Sequence, residues 1–215
     1  MGYKLPNGGT IQHAATYAAA LAFTALSNAS EAIATVAAST LAAGDIVLLT
    51  CGWSSLNNKV VRVKLATATA ITLEAIDTTD PLIFPVGGGV GTMKKVLTWV
   101  QIPQVTDVSF SGGTQNYTDV NFLENAQGFQ IPTDKSAASM VLTIADDPTQ
   151  AFNPILQAAD AGKQIQAARM NLPGADTILY GTYTSFSTQP TVSRNNLLTR
   201  TVNLALQSLP TRYLS

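Results

Sequence analysis

Three apolar runs of strand length follow one another between Ala43 and Asp80: Ile46–Thr50, Lys59–Leu65 and Ala70–Ile76. In the second, Val61, Val63 and Leu65 are set to face one side, and Arg62 and Lys64 the other. In the third, Ile71, Leu73 and Ala75 alternate with Thr72 and Glu74. Successive residues of a strand point to opposite faces, so this period of two commits the stretch to half-buried β-structure. The breaks carry turn chemistry. Gly52 is expected at positive φ, and Asn57-Asn58 in a tight hairpin with left-handed backbone at both residues. Trp53, beside the first turn, is expected to plug the end of a small barrel.

The rest of the chain supports a mainly β fold with one helix. Ala138–Ala145 alternates, with Met140, Leu142 and Ile144 inward against Ser139, Val141 and Thr143. Leu198–Leu209 does the same with Val202, Leu204 and Leu206. Lys95–Ile102, Val105–Ser111, Gln164–Leu172 and Thr177–Ser187 read as further strands, the last two joined by a Pro173-Gly174 turn. Phe152, Ile155, Leu156 and Ala159 recur at helical spacing and predict a helix over about 149–161, stopped by Gly162. Ala-rich Ile11–Leu26 favours a short helical or irregular piece near Ala14–Ala20, then a strand from Leu21. The domain reading is an N-terminal arm and first elements at 1–30, a small β-module at 31–80, a Gly/Pro linker at 81–92 and a β-domain at 93–215. Within that domain, 112–135 reads as a long polar loop with scattered aromatics, a pattern that suits contact with a partner.

Charged residues are only 12% of the chain, about half the ~25% of ordinary soluble domains, while apolar residues reach 46%. Thr, Ser, Asn and Gln supply the remaining polarity. Interface cores are depleted in charge, so this balance suits a surface largely covered by other copies. Lys plus Arg (12) nearly equals Asp plus Glu (13), with no basic patch for gripping phosphates. The single Cys51 allows no internal disulfide, which fits a reducing compartment. The N-terminus lacks a signal-peptide layout. The longest apolar run, Ala14–Leu26, falls short of the ~20 residues needed to span a bilayer.

Catalysis is not expected. His13 is the only histidine, read as a polar surface residue in a mobile segment. Asp146-Asp147 is the only adjacent acidic pair, and helix capping suits it better than shared-proton chemistry. The glycines near Gly87 to Gly91 match no phosphate-binding spacing. No catalytic residue, metal site or cofactor is assigned.

A series of short motifs carries a resemblance. GDIVLLTCGWSSLNNKVVRV, then IDTTD, Trp99-Val-Gln-Ile, SGGTQ at Ser111–Gln115, FLE at Phe122–Glu124, LTIADDP at Leu142–Pro148 and a terminal TRYLS occur in that order. The series resembles the tail tube (major tail) proteins of long-tailed bacteriophages, and favours the non-contractile, siphovirus type. The resemblance implies a tail-tube-type β-sandwich or barrel with one flanking α-helix; the small β-module at 31–80 is not needed to close a tube and is expected on its exterior. It implies hexameric rings stacked into a virion tail tube, made in the host cytoplasm. Genomic DNA would pass through the lumen without specific binding. A tape measure protein, a tail terminator and distal tail proteins are the implied partners, with no membrane insertion. Tyr117, Phe122 and Phe129 are the candidates for inter-ring contact, and Asp107 and Asp119 for the lumen wall. The tail Pro210–Ser215 is expected to lie on a neighbour. Alternatives are a tail terminator or head–tail connector ring, or a carbohydrate- or receptor-binding β-module. The last needs an exposed aromatic platform, for which only Trp53 and Trp99 are available among tryptophans.

Overall fold

The computed structural model describes residues 7–124 and 126–214. The expected arm at the extreme N-terminus falls mostly on residues 1–6, outside the described residues. The protein is mainly β with one helix, and every strand pairing among the described residues is antiparallel.

Six strands close a small barrel: β2 (Leu21–Leu26), β3 (Ile33–Val36), β4 (Ile46–Cys51), β5 (Val60–Ala66), β6 (Ala70–Leu73) and the first half of β7 (Gly91–Ile102). Their order is β2-β3-β6-β5-β4-β7, and β7 pairs back to β2, so none of these edges is left open. Phe23, Leu49, Val61, Val63, Ile71, Leu73 and Met93 fill the interior. The expected alternation holds through Val63 and then slips. A bulge between Val63 and Leu65 turns Leu65 outward, to 59% exposure. β6 ends at Leu73, because Ala75 takes φ 55°, and Ile76 rather than Ala75 is buried.

Two turn expectations are corrected. Gly52 is not at positive φ; glycine is needed there because a Cβ would stand 2.5 Å from the Gly88 carbonyl oxygen. Of Asn57 and Asn58, only Asn58 is left-handed (φ 63°), while the Asn57 side-chain oxygen accepts a hydrogen bond from the Cys51 N–H.

The second half of β7 continues into the larger sheet. Beside it lie β1 (Thr10–Tyr17), β12 (Gln166–Asn171), β13 (Thr177–Phe186), β14 (Thr199–Leu206), β11 (Ser139–Ala145) and β8 (Val105–Ser111), in that order, with β15 (Thr211–Tyr213) also on β13. One face buries Ile102, Met140, Leu142, Ile144, Val202 and Leu204 beneath Phe152 and Leu156 of α1 (Phe152–Gly162). Each such side chain contributes about 1.5–3 kcal/mol by leaving water. The inward sets read from the alternation of β11 and β14 are the observed ones, except that Leu206 is only partly buried.

β1 is a strand where Ala content argues for helix. Its two faces enter two different cores, Ile11 on the helix side and Ala14 on the other. Long-range pairing to β7 and β12 outweighs a propensity difference of well under 1 kcal/mol per residue. Small side chains suit it there, because Leu48 and Val60 of the barrel exterior pack against Ala14, Ala167 and Leu179. Excising Glu31–Asp80 would bare that face, so a larger sheet left intact without those residues requires polar replacements at Ala14, Ala167 and Leu179.

Candidate assembly surfaces

Most of the ordered motifs turn out to hold the fold. Trp53 is buried at the barrel mouth, donates its Nε1–H to the Pro85 carbonyl at 2.9 Å and meets Phe84 edge-on at 5.2 Å. The IDTTD segment closes the same end. Buried Thr78 donates its hydroxyl to the Ser27 carbonyl at 2.7 Å and accepts from the Ala29 N–H. The Asp77 carboxylate accepts from the Thr79 N–H and hydroxyl. A buried Trp53, with Trp99 half-buried against the Arg169 guanidinium at 4.4 Å, leaves no tryptophan platform for a sugar.

The C-terminal TRYLS motif does not leave the chain. β15 pairs Thr211–Tyr213 with Leu179–Thr177, and the buried Tyr213 ring lies against barrel and sheet together. Pro210 and Leu214 flank it exposed. The expectation that this tail lies on a neighbour is corrected for residues 211–213, because the ring finds its apolar partners within the same molecule.

The candidate polar residues are redistributed. His13 is fully buried in β1, not on the surface. Its Nδ1–H donates to the Ala14 carbonyl, and its Nε2 accepts from the Thr184 hydroxyl at 2.8 Å. Burial pushes its pKa down to about 4, so the ring is neutral. Neither Asp146 nor Asp147 caps α1, whose N-cap is Ala151 with no side-chain bond. Asp146 lies 2.7 Å from Nε of buried Arg200. Asp147 accepts from the Thr149 hydroxyl, the Gln150 amide and the Thr149 N–H, and those bonds hold its carboxyl down to about 2.

Two surfaces stand out as uncovered among the described residues. The first is the margin of β8. It bonds β11 on one side, and among the described residues no strand bonds the other. Phe110 sits on the core face of this edge strand, opposite fully buried Met140, yet is 58% exposed. The apolar face thus runs past the last strand. On the opposite face Asp107 and Ser109 of β8, Thr143 of β11, and Thr201 and Asn203 of β14 stand in register with no Lys or Arg among them.

The second surface is the excursion of residues 112–135, expected as a loop. It is a two-stranded hairpin of β9 (Gln115–Val120) and β10 (Phe129–Lys135), exposed along nearly all its length. Its sequence hides this because neither face is buried, so no hydrophobic period exists to be read. Gly112 roots it at φ 78°, where a Cβ would meet the Ala137 carbonyl oxygen at 1.9 Å. Phe122 and Phe129 pair with ring centroids 5.7 Å apart near the tip. Tyr117 lies opposite Pro132, on the other face from Phe129 and Ile131. Asp119 belongs to this hairpin, where it accepts from the Gln130 amide at 2.8 Å, and not to the polar sheet face with Asp107. Leu123, which the aromatic spacing did not pick out, is the most exposed apolar side chain of the tip.

Among the described residues no helix is long and apolar enough to cross a membrane. No curated protein matches the chain. The family model described as phage tail tube protein, TTP, matches residues 51–215. That span runs from the barrel-mouth Trp53 through the open β8 margin and the hairpin to the Tyr213 clamp. With a strand margin unpaired among the described residues and an exposed hairpin both inside the matched span, the chain belongs to the phage tail tube protein family, a structural component of the virion tail.

Proposed function

We propose that copies of this chain join through the β8 margin into closed hexameric rings, and that the β9–β10 hairpins link ring to ring. The observation that carries this reading is the one-sided bonding of β8 with Phe110 left half in water. An open strand margin with an apolar face is a template for another strand. A head-to-tail contact whose rotation closes makes a ring and leaves no free edge. An isolated two-stranded hairpin is marginal in water, so β9–β10 is suited to contact with another layer.

The polar face bearing Asp107 would line the lumen, with the barrel outside. The barrel already covers the β12–β1 part of that side through Leu48 and Val60. On the strip of that face formed by β8, β11 and β14 the side chains are mostly hydroxyl, amide or small, and Asp107 is the one charge among them. DNA passing over that strip would meet no cation there to hold its phosphates, which favours sliding over binding. Genome ejection, a non-contractile tail, and contacts with a tape measure protein, a terminator and distal tail proteins follow from the same reading.

Electron microscopy of purified protein tests it. The intact chain is expected to form tubes. Phe110→Asp is expected to stay folded and form none, because it places a desolvated charge in the seam. Chains that persist as monomers at high concentration, or F110D tubes indistinguishable from the parent's, would overturn the reading. Isolated single rings would favour a terminator or connector instead.

A further inference from the structure

The junction between barrel and larger sheet holds a cleft of about 230 Å³. Leu48 and Ile165 form its apolar part, and Thr50, Asn58, Gln164 and Tyr183 contribute polar groups. Lys94 of β7 and Lys163 also line it. Lys163 follows α1 and takes the left-handed cap position, φ 46°. Neither lysine forms an ion pair among the described residues, whereas Arg62, Lys64, Lys95, Arg200 and Arg212 all do. Two unneutralised cations in one concave site focus positive potential there.

We infer that this cleft receives the hairpin tip of a second copy, with the Glu124 carboxylate seated between Lys94 and Lys163. The inference rests on the tube reading and names the receiving surface for the hairpin. The tip presents Phe122, Leu123 and Glu124 in succession, all exposed. Glu124 has no hydrogen bond or ion pair among the described residues, unlike Asp119 and Asp134 in the same hairpin. One acid among apolar side chains is complementary in charge to two lysines in a mainly polar cleft, with Leu48 and Ile165 on its wall to meet the apolar ones. An exposed ion pair alone contributes little. Burial of Phe122 and Leu123 around it would exclude water and strengthen it.

The test is charge reversal read by tube assembly. Lys94→Glu with Lys163→Glu, and separately Glu124→Lys, are each expected to raise the protein concentration needed for tubes by about tenfold or more. The three changes together are expected to restore assembly. Circular dichroism and thermal melting establish that each variant is folded. Tubes formed normally by either reversed variant, or no recovery in the triple variant, would overturn the cleft assignment. A variant that fails to fold is replaced by a cross-link: Thr50→Cys with Leu123→Cys should yield disulfide-linked oligomers in tubes under oxidation, scored against the parent with Cys51 alone. Monomers only would overturn it. Parent chains that never form tubes would instead sink the tube reading itself, which separates the two failures.

Discussion

The Tyr213 hydroxyl accepts a hydrogen bond from the backbone N–H of Arg62 at 2.8 Å, across 151 positions of sequence. The Arg62 guanidinium also lies over the Tyr213 ring at 4.4 Å and is held by Glu74, with Nη2–Oε1 at 2.7 Å. Burial raises the phenol pKa to about 12, so it stays protonated and also donates to the Glu74 carbonyl. This cluster ties the last strand to the barrel and fixes the barrel on the sheet.

Tyr213→Phe therefore leaves the Arg62 N–H without its partner and should cost about 1–3 kcal/mol. Tyr213→Ala, which also removes the ring, should cost about 3–5 kcal/mol. Denaturant melts would show both. Equal stability of parent and Y213A would show that the clamp holds nothing.

Stability should fall with acid through His13. Its folded pKa, about 4, lies below the ordinary value of 6.5. The unfolded chain therefore binds a proton that the folded chain refuses between these values. The contribution of the neutral buried ring is complete above pH 6.5 and is lost progressively as pH falls toward 4. The total is on the order of 3 kcal/mol. Melting temperatures across that window should lose this slope in His13→Gln; an unchanged slope would assign it to carboxylates.

Trp53→Ala should destabilise the barrel by about 3–5 kcal/mol, since it empties the mouth and strands the Pro85 carbonyl. The loss should appear in unfolding curves and in hydrogen exchange confined first to β2–β6.

Phe122→Ser with Phe129→Ser should change monomer stability by less than about 1 kcal/mol, because both rings are half in water. Tubes should nonetheless be lost or shortened in electron micrographs. Normal tubes would remove these two aromatics from the contact.

Asp107→Lys should leave folding and tube formation intact, because the residue is exposed on a sheet face. Phage carrying it should eject DNA more slowly, and more so at low salt, if that face meets phosphates. An unchanged rate at every salt concentration would place Asp107 away from the lumen.

The period of two along Val60–Val63, Ser139–Ala145 and Thr199–Leu206 was legible in the sequence because it is local: a half-buried strand writes its inward set every second residue. The helix over Phe152–Gly162 and the plug role of Trp53 were legible for the same kind of reason. The bulge at Leu65, the strand fate of the Ala-rich β1 and the burial of His13 were not. Each depends on which distant strand comes alongside, and residues 10–17 carry no mark of β7 or β12. The hairpin at 115–135 was hidden for the opposite reason, since a ribbon with no buried face leaves no pattern. Sequence alone settled the class of fold and the family. Only the closing of β2 onto β7, and the one-sided pairing of β8, decided which margin is sealed and which stays unpaired among the described residues, because the choice of a distant strand partner is made by long-range hydrogen bonding that the local order of side chains does not reveal.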